Sequence, residues 1–550
     1  MRETLKVAIA VVLILSIAVV VGVVAYMERP LPAAGVAYLN IAYVMKMPGS
    51  PTVPHKSMVE EIISAFKAWY RDKFGANVVV RVSYEDMLAF TREIGIGKPK
   101  FDVWWGGTVD DFNEHKDILL PFNSTQKEVL MELLPNATVL NCHIMDVEGP
   151  TPTWYAWCLY APCLLYEEEA LPSPPTTWDE LAHPRFENKV IVPNFMPDLP
   201  MDPFLKPLGL VIYAYEAWKL GNESLGWSAA WNTSVLLWAI VEDMSGAPLI
   251  DALRVVAGDR MAMLCSDVIA YHMLIEAGYP NIRMRYLNAS LVFPCPVGVL
   301  KGCDNEDVAK AFVDFLISAE GQAIVAKHLM PIRPDVGTGP GVVSPFSPEF
   351  PAVGEFNRTF VEIAEDFIYD YMTVWLVQPH GRPGVEGTLR DAWWWIKRAN
   401  ETREANENAT RYFNYAWANF TAVSWFVKRS DFDQIYNATD GWKDKGRYMG
   451  DWGRAAQSAY INATENARRS IEAAENATAL VPKASGPGPP TWGLGMDSPP
   501  RAQPGKGLSV LTAFSPKPCQ GQGLELGCSW PGGLQPRSRR YQGASQLGLG

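Results

Sequence analysis

Two hydrophobic patterns alternate along the chain between about residues 36 and 336. Runs of β-branched and aromatic residues, such as Val36–Val44 and Phe101–Trp105, predict buried strands. Between such runs, apolar residues recur at helical spacing, for example in Met58–Phe74 and Leu249–Val256. Alternating strands and helices are typical of layered α/β folds, and roughly 300 residues of this pattern suit two lobes better than one.

The pattern changes in the last third of the chain. Helical segments dominate from about residue 356, and Ala455–Ala479 predicts a long, solvated, stalk-like helix. From Pro482 onwards Gly and Pro supply 25 of the last 69 residues without periodicity, which predicts a disordered tail. We therefore expect four units, at residues 1–30, 36–340, 356–480 and 482–550.

The N-terminal segment predicts a transmembrane anchor. Val7 to Tyr26 contains about 20 residues without a charge, enough helix to span the hydrocarbon layer of a bilayer. Secretory signal peptides have shorter apolar stretches of roughly 7–15 residues, so we favour a retained anchor over a cleaved signal. Because Arg2 and Lys6 precede the segment, the rest of the chain is expected on the extracellular side of the cell membrane.

Potential N-glycosylation sequences point to the same side of the membrane. Twelve Asn-x-Ser/Thr sequences occur, more than the composition alone predicts. Their asparagines are Asn123, Asn136, Asn222, Asn232, Asn288, Asn357, Asn400, Asn408, Asn419, Asn437, Asn462 and Asn476. An exported surface glycoprotein is therefore expected, and compositional drift in surface segments is the alternative.

The charge and the cysteine content limit the possible chemistry. A net charge of −12 argues against nucleic-acid binding, which requires a basic face. The eight cysteines form no Cys-x-x-Cys pair, so the spacing does not indicate zinc. Outside the cell some of them could form disulfides, but the sequence does not give the pairing. Small buried hydrophobic side chains are the alternative for each of them.

Three stretches of sequence carry a family resemblance. They are FDVWWGG at residues 101–107, a segment from Trp154 to Pro193 that includes PPTTWDEL at 174–181, and a segment from Pro296 to Asp335 that includes AKAFVDFLISAEGQ at 309–322. In this order they resemble the extracellular solute-binding proteins of ABC importers, in the branch that contains ferric-iron, thiamine and polyamine binders. The resemblance covers about residues 36–340.

The resemblance implies a fold and a function. The fold would be α/β, with two lobes of the type II periplasmic-binding-protein kind joined by hinge strands, followed here by a C-terminal helical extension. The chain would capture a small-molecule ligand between the lobes and deliver it to a membrane permease served by ATPase subunits. It would catalyse no reaction and would need no cofactor or metal. No Walker A sequence occurs, so the motor would be a separate chain.

The first group of candidate ligand-binding residues is Trp104, Trp105, Gly106, Gly107 and Thr108, where a strand gives way to a helix starting near Asp110. Glycines let a ligand approach the backbone, and the amides of the helix start could hold an anionic group. The indoles could instead stack on a planar or cationic ligand. Because successive side chains of a strand point to opposite faces, we expect one tryptophan in the core and one in the cleft.

The second group comes from the segments that resemble the crossover and the second lobe. Trp154 and Tyr155 begin the crossover, with hinge packing as the alternative role. Ser245 belongs to a loop that resembles a ligand-facing loop of the family, and a plain turn is the alternative. Ser266 and Asp267 follow a predicted strand, where Asp267 could bind a cationic group or cap the next helix.

The resemblance to ferric-binding members ends at one position. Those proteins place adjacent tyrosines one and two residues after the position of Asp267, where this chain has Val268 and Ile269. Ferric iron prefers anionic oxygen ligands, which aliphatic side chains do not supply. Iron capture by such a pair is therefore not expected here.

Two other classes of protein compete with a binding protein. A secreted hydrolase is one, but the chain has no His-Glu-x-x-His, no Gly-x-Ser-x-Gly and no clear Cys/His pairing. A structural cell-surface glycoprotein without a ligand is the other. Saturable binding of one small molecule would distinguish a solute-binding protein from both of these competing classes.

Overall fold

The computed structural model describes residues 36–44, 55–85, 90, 93–94, 100–140, 142–193, 205–241, 244–245, 248–353, 372, 376, 379–421 and 445–479. The predicted anchor at residues 7–26 and the predicted tail at 482–550 lie outside this part of the chain. Within the described ranges, no helix combines the length and the apolar character needed to cross a membrane.

Strands and helices alternate as the hydrophobic pattern predicts. The strands are β1 Val36–Tyr43, β2 Asn77–Tyr84, β3 Val103–Trp105, β4 Thr138–Val139, β5 Cys142–His143, β6 Tyr155–Tyr160, β7 Pro162–Glu167, β8 Val190–Pro193, β9 Met244–Ser245, β10 Ala262–Ser266, β11 Ile282–Arg285 and β12 Phe293–Val299. The helices are α1 Lys56–Phe74, α2 Val109–Glu114, α3 Lys127–Leu133, α4 Trp178–Leu181, α5 Leu205–Leu220, α6 Glu223–Ile240, α7 Pro248–Val256, α8 Asp267–Tyr271, α9 Glu306–Leu316, α10 Ala319–Val325, α11 Leu389–Thr402, α12 Glu407–Phe420 and α13 Lys445–Ala479.

Two five-stranded sheets form the centres of two lobes. The first lobe has the strand order β2-β1-β3-β12-β6, in which β1 is parallel to β2 and β3, and β12 is antiparallel to both its neighbours. The second lobe has the order β11-β7-β10-β8-β9, in which β8 is parallel to β10 and β9, and β7 is antiparallel to β10 and β11. The predicted mixed α/β fold with two lobes is confirmed.

Two crossings between the lobes connect the strands of the two sheets. It leaves the first lobe between β6 and β7, through Ala161, and returns between β11 and β12, through residues 286–292. The fourth strand of the first sheet is therefore β12, which comes back from the second lobe after more than 100 residues of intervening chain. Each lobe is thus held at the hinge by strands that are continuous with strands of the other lobe.

The first lobe is covered by amphipathic helices whose apolar faces the sequence predicts. In α1 the residues Met58, Ile62 and Phe66 are buried, and the Phe66 ring lies edge-on to Phe312 of α9 with centroids 5.2 Å apart. Ser318 caps α10 by accepting a hydrogen bond from the Gly321 amide, as predicted. These contacts hold α1 firmly, so its N-terminus is a fixed point at the edge of the first lobe.

The helical extension packs as a bundle. Helices α11, α12 and α13 contact each other, and Ala456, Tyr460 and Ala467 of α13 are buried between them. The prediction of a solvated, stalk-like helix is therefore wrong, because α13 has an apolar stripe that the other two helices cover. The sequence places this helix at 455–479, and it begins earlier, at Lys445.

The bundle is attached to the second lobe. The imidazole of His380, just before α11, donates from Nε2 to the carbonyl oxygen of Val241 at 2.9 Å. Lys397 of α11 forms an ion pair with Glu187 at 2.5 Å. The extension therefore lies on the side of the second lobe formed by the end of α6 and the turn before β8.

Candidate functional site

The carboxyl ends of parallel strands from the two lobes meet at one region between the sheets. In the first lobe β1 ends at Tyr43 and β3 ends at Trp105, and in the second lobe β10 ends at Ser266. In open α/β sheets ligands bind outside the carboxyl ends of the strands, because loops and helix starts offer free polar groups there. This region, between the two crossovers, is the candidate functional site.

A direct hydrogen bond joins the lobes at this region. The imidazole Nε2 of His55, the residue before α1, lies 2.7 Å from the carbonyl oxygen of Val268 in α8. A carbonyl oxygen only accepts, so Nε2 carries the proton and Nδ1 does not. His55 has a φ of 58°, a left-handed conformation that costs a non-glycine residue about 1–3 kcal/mol and that is often found at functional positions.

A carboxylate of the second lobe caps a helix of the first. Glu276, in the π-helical turn that follows α8, accepts from the amide of His55 (2.7 Å), the amide of Ser57 (2.9 Å) and the hydroxyl of Ser57 (2.6 Å). Helix α1 has no acidic residue in its first turn and no side-chain cap of its own. The negative charge that favours a helix N-terminus therefore comes from the opposite lobe. We call these bonds of His55 and Ser57 to Val268 and Glu276 the interlobe latch.

The charge state of Glu276 follows from its contacts. Burial opposes ionisation of this carboxyl, but the hydrogen bonds from His272 and Ser57 hold its pKa well below the ordinary value. His272 Nδ1 lies 2.6 Å from the carboxylate. Glu276 is therefore ionised at neutral and mildly acidic pH, where it is an acceptor for the amides of α1.

Three histidines surround the interlobe latch. The His55 ring lies 5.7 Å from that of His272 and 6.5 Å from that of His328, between centroids. Burial lowers the pKa of His55 to about 4, because the charged imidazolium would lose its hydration there. Glu61 lies beside this cluster and pairs with Lys327 at 2.5 Å and with His328 at 3.7 Å. In the described ranges no group of three or more His, Cys, Asp or Glu side chains has the arrangement needed to hold a metal ion.

Asp267 is the centre of a buried hydrogen-bond chain at the hinge. The Val343 amide donates to the Tyr271 hydroxyl (3.0 Å), which lies 2.8 Å from the Tyr286 hydroxyl, and this donates to Asp267 Oδ2 (2.7 Å). The second oxygen, Oδ1, has no hydrogen-bond partner among the described residues. Burial raises the pKa of Asp267 to about 7. The amide of Asp267 donates to the carbonyl of Ala161 in the first crossover (3.0 Å), so both crossovers contact this residue.

Both predicted tryptophans are enclosed by the first lobe. Trp104 and Trp105 are each 0% exposed and lie on opposite faces of β3, as the alternation predicts. Trp104 stacks on Phe112 of α2 with centroids 4.0 Å apart, and Trp105 packs on Tyr43 at 4.9 Å. The expectation that one of them faces the cleft is wrong in this structure, because α2 covers the face of the sheet opposite the main core.

The glycine turn after β3 serves the local fold. Gly106 and Gly107 have φ angles of 97° and 111°, which side chains rarely allow, so both positions require glycine for the turn itself. Thr108 caps α2, which starts at Val109, and it exchanges hydrogen bonds with Asp111 in a capping box. Asp111 already accepts from the Thr108 amide at this helix start, and binding of an anionic ligand there stays a prediction.

Of the other predicted residues, Trp154 and Tyr155 pack within the first lobe, and Ser266 and Asp267 lie at the hinge. The Trp154 indole donates to Asn113 (3.2 Å), and the Tyr155 hydroxyl donates to the Phe122 carbonyl and accepts from the Ser124 amide, so both side chains have partners within the first lobe. Ser266 is the N-cap residue of α8, although its side chain makes no capping bond. Asp267 is the next residue and is not the cap, contrary to the capping alternative.

For Ser245 only the backbone belongs to the described part of the chain. Its position pairs with Pro193 in the β8–β9 ladder. Whether any of the predicted residues contacts a ligand stays a prediction.

The residues that join the lobes were not predicted. His55, His272 and His328 are three of only seven histidines, but they lie far apart in the sequence and no motif connects them. Glu276 lies four residues after His272, a helical spacing that indicates a local pair and nothing about the opposite lobe. A lone histidine between Pro54 and Lys56, directly before a strong amphipathic helix, was the one available signal.

Comparisons with known proteins agree with the motif-based resemblance. Residues 157–328 match the family model of bacterial extracellular solute-binding proteins. The phosphoglycerate transport regulatory proteins of Salmonella typhimurium and Salmonella typhi are 29% identical over 137 residues, which is 25% of this chain and 32% of theirs. The chain thus spans about a third of the length of the curated relatives it matches.

Solved structures with a similar course of the chain include two binding proteins. Iron-bound HitA from Pseudomonas aeruginosa has 19% identity and a TM-score of 0.43, over 60% of this chain and 99% of that one. AfuA from Actinobacillus pleuropneumoniae, with fructose-6-phosphate bound, has 16% identity and a TM-score of 0.44, over 62% of this chain and 99% of that one. The predicted resemblance is confirmed by the family match: residues 157–328, about a third of the chain, are similar to bacterial extracellular solute-binding proteins.

Proposed function

We propose that the chain is the extracellular solute-binding component of an ABC importer, which closes two lobes on a small solute and delivers it to a membrane permease with its ATPase subunits. The observation that supports this most is the interlobe latch, in which Glu276 of one lobe caps α1 of the other. A capture protein needs such contacts, because they exist only when the lobes are closed.

Closure supplies the mechanism of capture. A solute that touches both lobes binds the closed form more tightly and shifts the population towards it. The latch contributes the same kind of energy, since each of its bonds breaks when the lobes separate. Closure also removes water from the polar groups around the solute, which strengthens each contact. The proposed function needs no reacting group, and we assign the chain no catalysis.

The polar groups near the latch favour an acceptor-rich ligand. The Tyr43 hydroxyl is buried and has no hydrogen-bond partner among the described residues. Tyr43 is close enough to Glu276 for the carboxylate to contribute to its raised pKa, after burial. An unused hydroxyl donor at the carboxyl end of β1 suits a ligand that offers oxygen acceptors, such as a phosphate or carboxylate group. The name of the Salmonella relatives, which concerns phosphoglycerate transport, makes small phosphorylated acids the first ligands to test.

Ferric iron is less favoured as the solute than a ligand with a phosphate or carboxylate group. Val268 and Ile269 occupy the positions after Asp267, and both are buried aliphatic side chains. They offer no oxygen for a hard cation. A site of this composition would discriminate against iron, and it would leave the buried Tyr43 hydroxyl free for an oxyanion.

We further propose that the chain is anchored outside the cell by residues 7–26 and carries N-glycans. Seven of the twelve sequence sites have an exposed asparagine in the described part of the chain, namely Asn123, Asn136, Asn222, Asn288, Asn408, Asn462 and Asn476. Asn462 and Asn476 lie 14 residues apart on α13, about four turns, so they share one exposed face. Exposed asparagines are what a glycosylating enzyme needs on an exported chain.

Thermal-shift titration of the full chain tests the capture function. Phosphoglycerate, inorganic phosphate, ferric citrate and a neutral sugar are compared at one ionic strength. A saturable rise of the melting temperature with phosphoglycerate, together with a smaller radius of gyration in X-ray scattering, is the expected result. A rise of the melting temperature with ferric citrate alone would overturn the proposed ligand class. No rise with any of the solutes, together with an unchanged radius of gyration, would overturn the capture function.

A further inference from the structure

Four of the described cysteines form two pairs on facing positions of neighbouring strands. Cys163 of β7 is the direct partner of Cys265 of β10, and their sulfur atoms lie 4.0 Å apart. Cys158 of β6 is the direct partner of Cys295 of β12, and their thiols interact. All four side chains are buried. Four cysteines with sequence separations above 100 residues therefore meet two by two.

We propose that Cys163–Cys265 and Cys158–Cys295 are disulfides in the exported chain and that they brace the hinge on both sides of the first crossover. This rests on the proposed location outside the cytosol, where disulfides persist.

Both pairs occupy directly opposite ladder positions, and the register of β6 and β12 shifts only after Cys295, between it and Pro296. Directly opposite residues of an antiparallel pair have Cα atoms about 4.5–5.5 Å apart. Disulfides span Cα separations of about 4.4–6.8 Å, so both pairs lie in the allowed range. For Cys163 and Cys265, rotation of the two side chains has to bring the sulfurs from 4.0 Å to bonding distance.

The positions of the pairs explain what the bonds would do. Cys158 and Cys163 flank the crossover at Ala161, and Cys295 is near the start of β12, just after the second crossover. A Cys158–Cys295 bond would join the two crossing strands on the first-lobe side. A Cys163–Cys265 bond would join β7 to β10, whose end leads into Asp267. The lobes would then rotate as rigid bodies about crossovers whose ends are fixed.

The oxidation has to occur before the lobes are packed. Burial raises the pKa of the Cys158 and Cys163 thiols well above the ordinary value, and their partner cysteines and Asp267 add to this. The thiolate is the reacting form, so the folded, reduced chain would exchange very slowly. In each pair two thiols lose two protons and two electrons, one S–S bond forms, and the disulfide of a small-molecule or protein oxidant is reduced to two thiols.

Peptide mapping of the full chain tests the proposal directly. The chain is produced through an oxidising export pathway, unfolded in an alkylating reagent without reductant, and digested. We expect one peptide that links Cys163 to Cys265, one that links Cys158 to Cys295, and alkylated Cys303. Alkylation of all four paired cysteines, or links between other partners such as Cys158 with Cys163, would overturn it.

Variants and heating give an independent measurement. Cys265→Ser should leave Cys163 alkylated and the Cys158–Cys295 link intact, whereas the control Cys303→Ser should leave the map unchanged. Reductant present during unfolding should lower the melting temperature of the oxidised chain by about 5–15 °C. The ligand titration is run on the same oxidised sample. Linked peptides without ligand binding would count against the capture function alone. Ligand binding without linked peptides would count against the disulfides alone.

Discussion

The two lobes contain equivalent strand-to-helix turns that use their polar groups in different ways. The first turn, Trp104–Val109 between β3 and α2, makes its capping box and its indole stacking within the first lobe. The second turn, Cys265–Val268 between β10 and α8, has partners outside its own element. The Asp267 amide binds the first crossover, its carboxylate binds Tyr286 of the second, and the Val268 carbonyl binds His55 of the opposite lobe.

Because of this difference, the first turn affects the stability of one lobe, whereas the second affects the closure of the two lobes. A turn whose contacts lie within its own lobe contributes to the stability of that lobe, and its energy does not depend on the position of the other lobe. A turn whose partners lie on the crossovers and on the opposite lobe changes its energy when the lobes move. The first turn had the stronger sequence signal, but the second has the contacts that a closing mechanism requires.

The largest expected effect comes from breaking the first turn. Trp104→Ala removes a fully buried indole and should lower the free energy of unfolding by about 3–5 kcal/mol, because a cavity forms between β3 and α2. Urea denaturation measures it, with Trp218→Ala as the control, since that side chain is 56% exposed and its loss should cost less than about 0.5 kcal/mol. The Trp104→Ala molecules that remain folded should still close on the ligand. Equal costs for the two variants would contradict the packing role of Trp104.

The second turn should give the chain a specific pH dependence. The pKa of Asp267 is raised from 3.8 to about 7, so the folded state favours its protonated form. Its contribution to the free energy of unfolding therefore falls as the pH rises from about 4 to about 7, by about 2–4 kcal/mol in total. Asp267→Asn should remove this slope, as seen by urea denaturation at about pH 5 and about pH 8.

A control separates this effect from general titration. Asp117→Asn changes an exposed carboxylate and should leave the slope of the wild type unchanged. If the slope of Asp267→Asn equalled that of the wild type, the buried carboxyl would not be the titrating group.

The interlobe latch should set the balance between the open and closed forms. Glu276→Gln keeps the shape of the side chain and removes the charge that caps α1, at a cost of about 1.5–3 kcal/mol to the closed form. The closed population should fall about 10–100-fold relative to the open one. X-ray scattering should then give a larger radius of gyration, and the first turn of α1 should exchange its amide hydrogens faster. The exposed Glu132→Gln is the matched control, and identical scattering of both variants would count against the latch.

The smallest expected effect is that low pH weakens the interlobe latch. The pKa of His55 is lowered from 6.5 to about 4 in the closed form, which therefore binds fewer protons than a form with a solvated His55. Closure should weaken as the pH falls through 6.5, by about tenfold at about pH 5.5. Glu276, His272, His328, Glu61 and Lys327 face this imidazole, and Glu276 stays ionised throughout.

His55→Asn tests the assignment of this acid effect. Asparagine tolerates the left-handed backbone and donates a hydrogen bond without titrating. The variant should keep the same radius of gyration at about pH 7.5 and about pH 5.5. An unchanged acid response would assign the titration to another group of the cluster.

Most of the fold could be predicted from local sequence. The amphipathic face of α1 with Ile62 and Phe66, the cap of α10 at Ser318 and the order of strands and helices follow from spacing, and spacing is a property of neighbours in the chain. The exposure of Trp104 and Trp105 did not follow, because alternation fixes the face on which each side chain lies and says nothing of what covers that face.

The sequence by itself determined that the chain has two α/β lobes, that a helical region follows, and that three motifs resemble those of solute-binding proteins. The tertiary structure alone decided that Glu276 caps α1 from 221 residues away, that His55 reaches Val268, and that the cysteines meet as two pairs. Local patterns arise from interactions between near neighbours. The cysteine pairs instead depend on which distant strands become neighbours in each sheet, and the contacts of Glu276 and His55 depend on how the two lobes are placed against each other by their crossing strands.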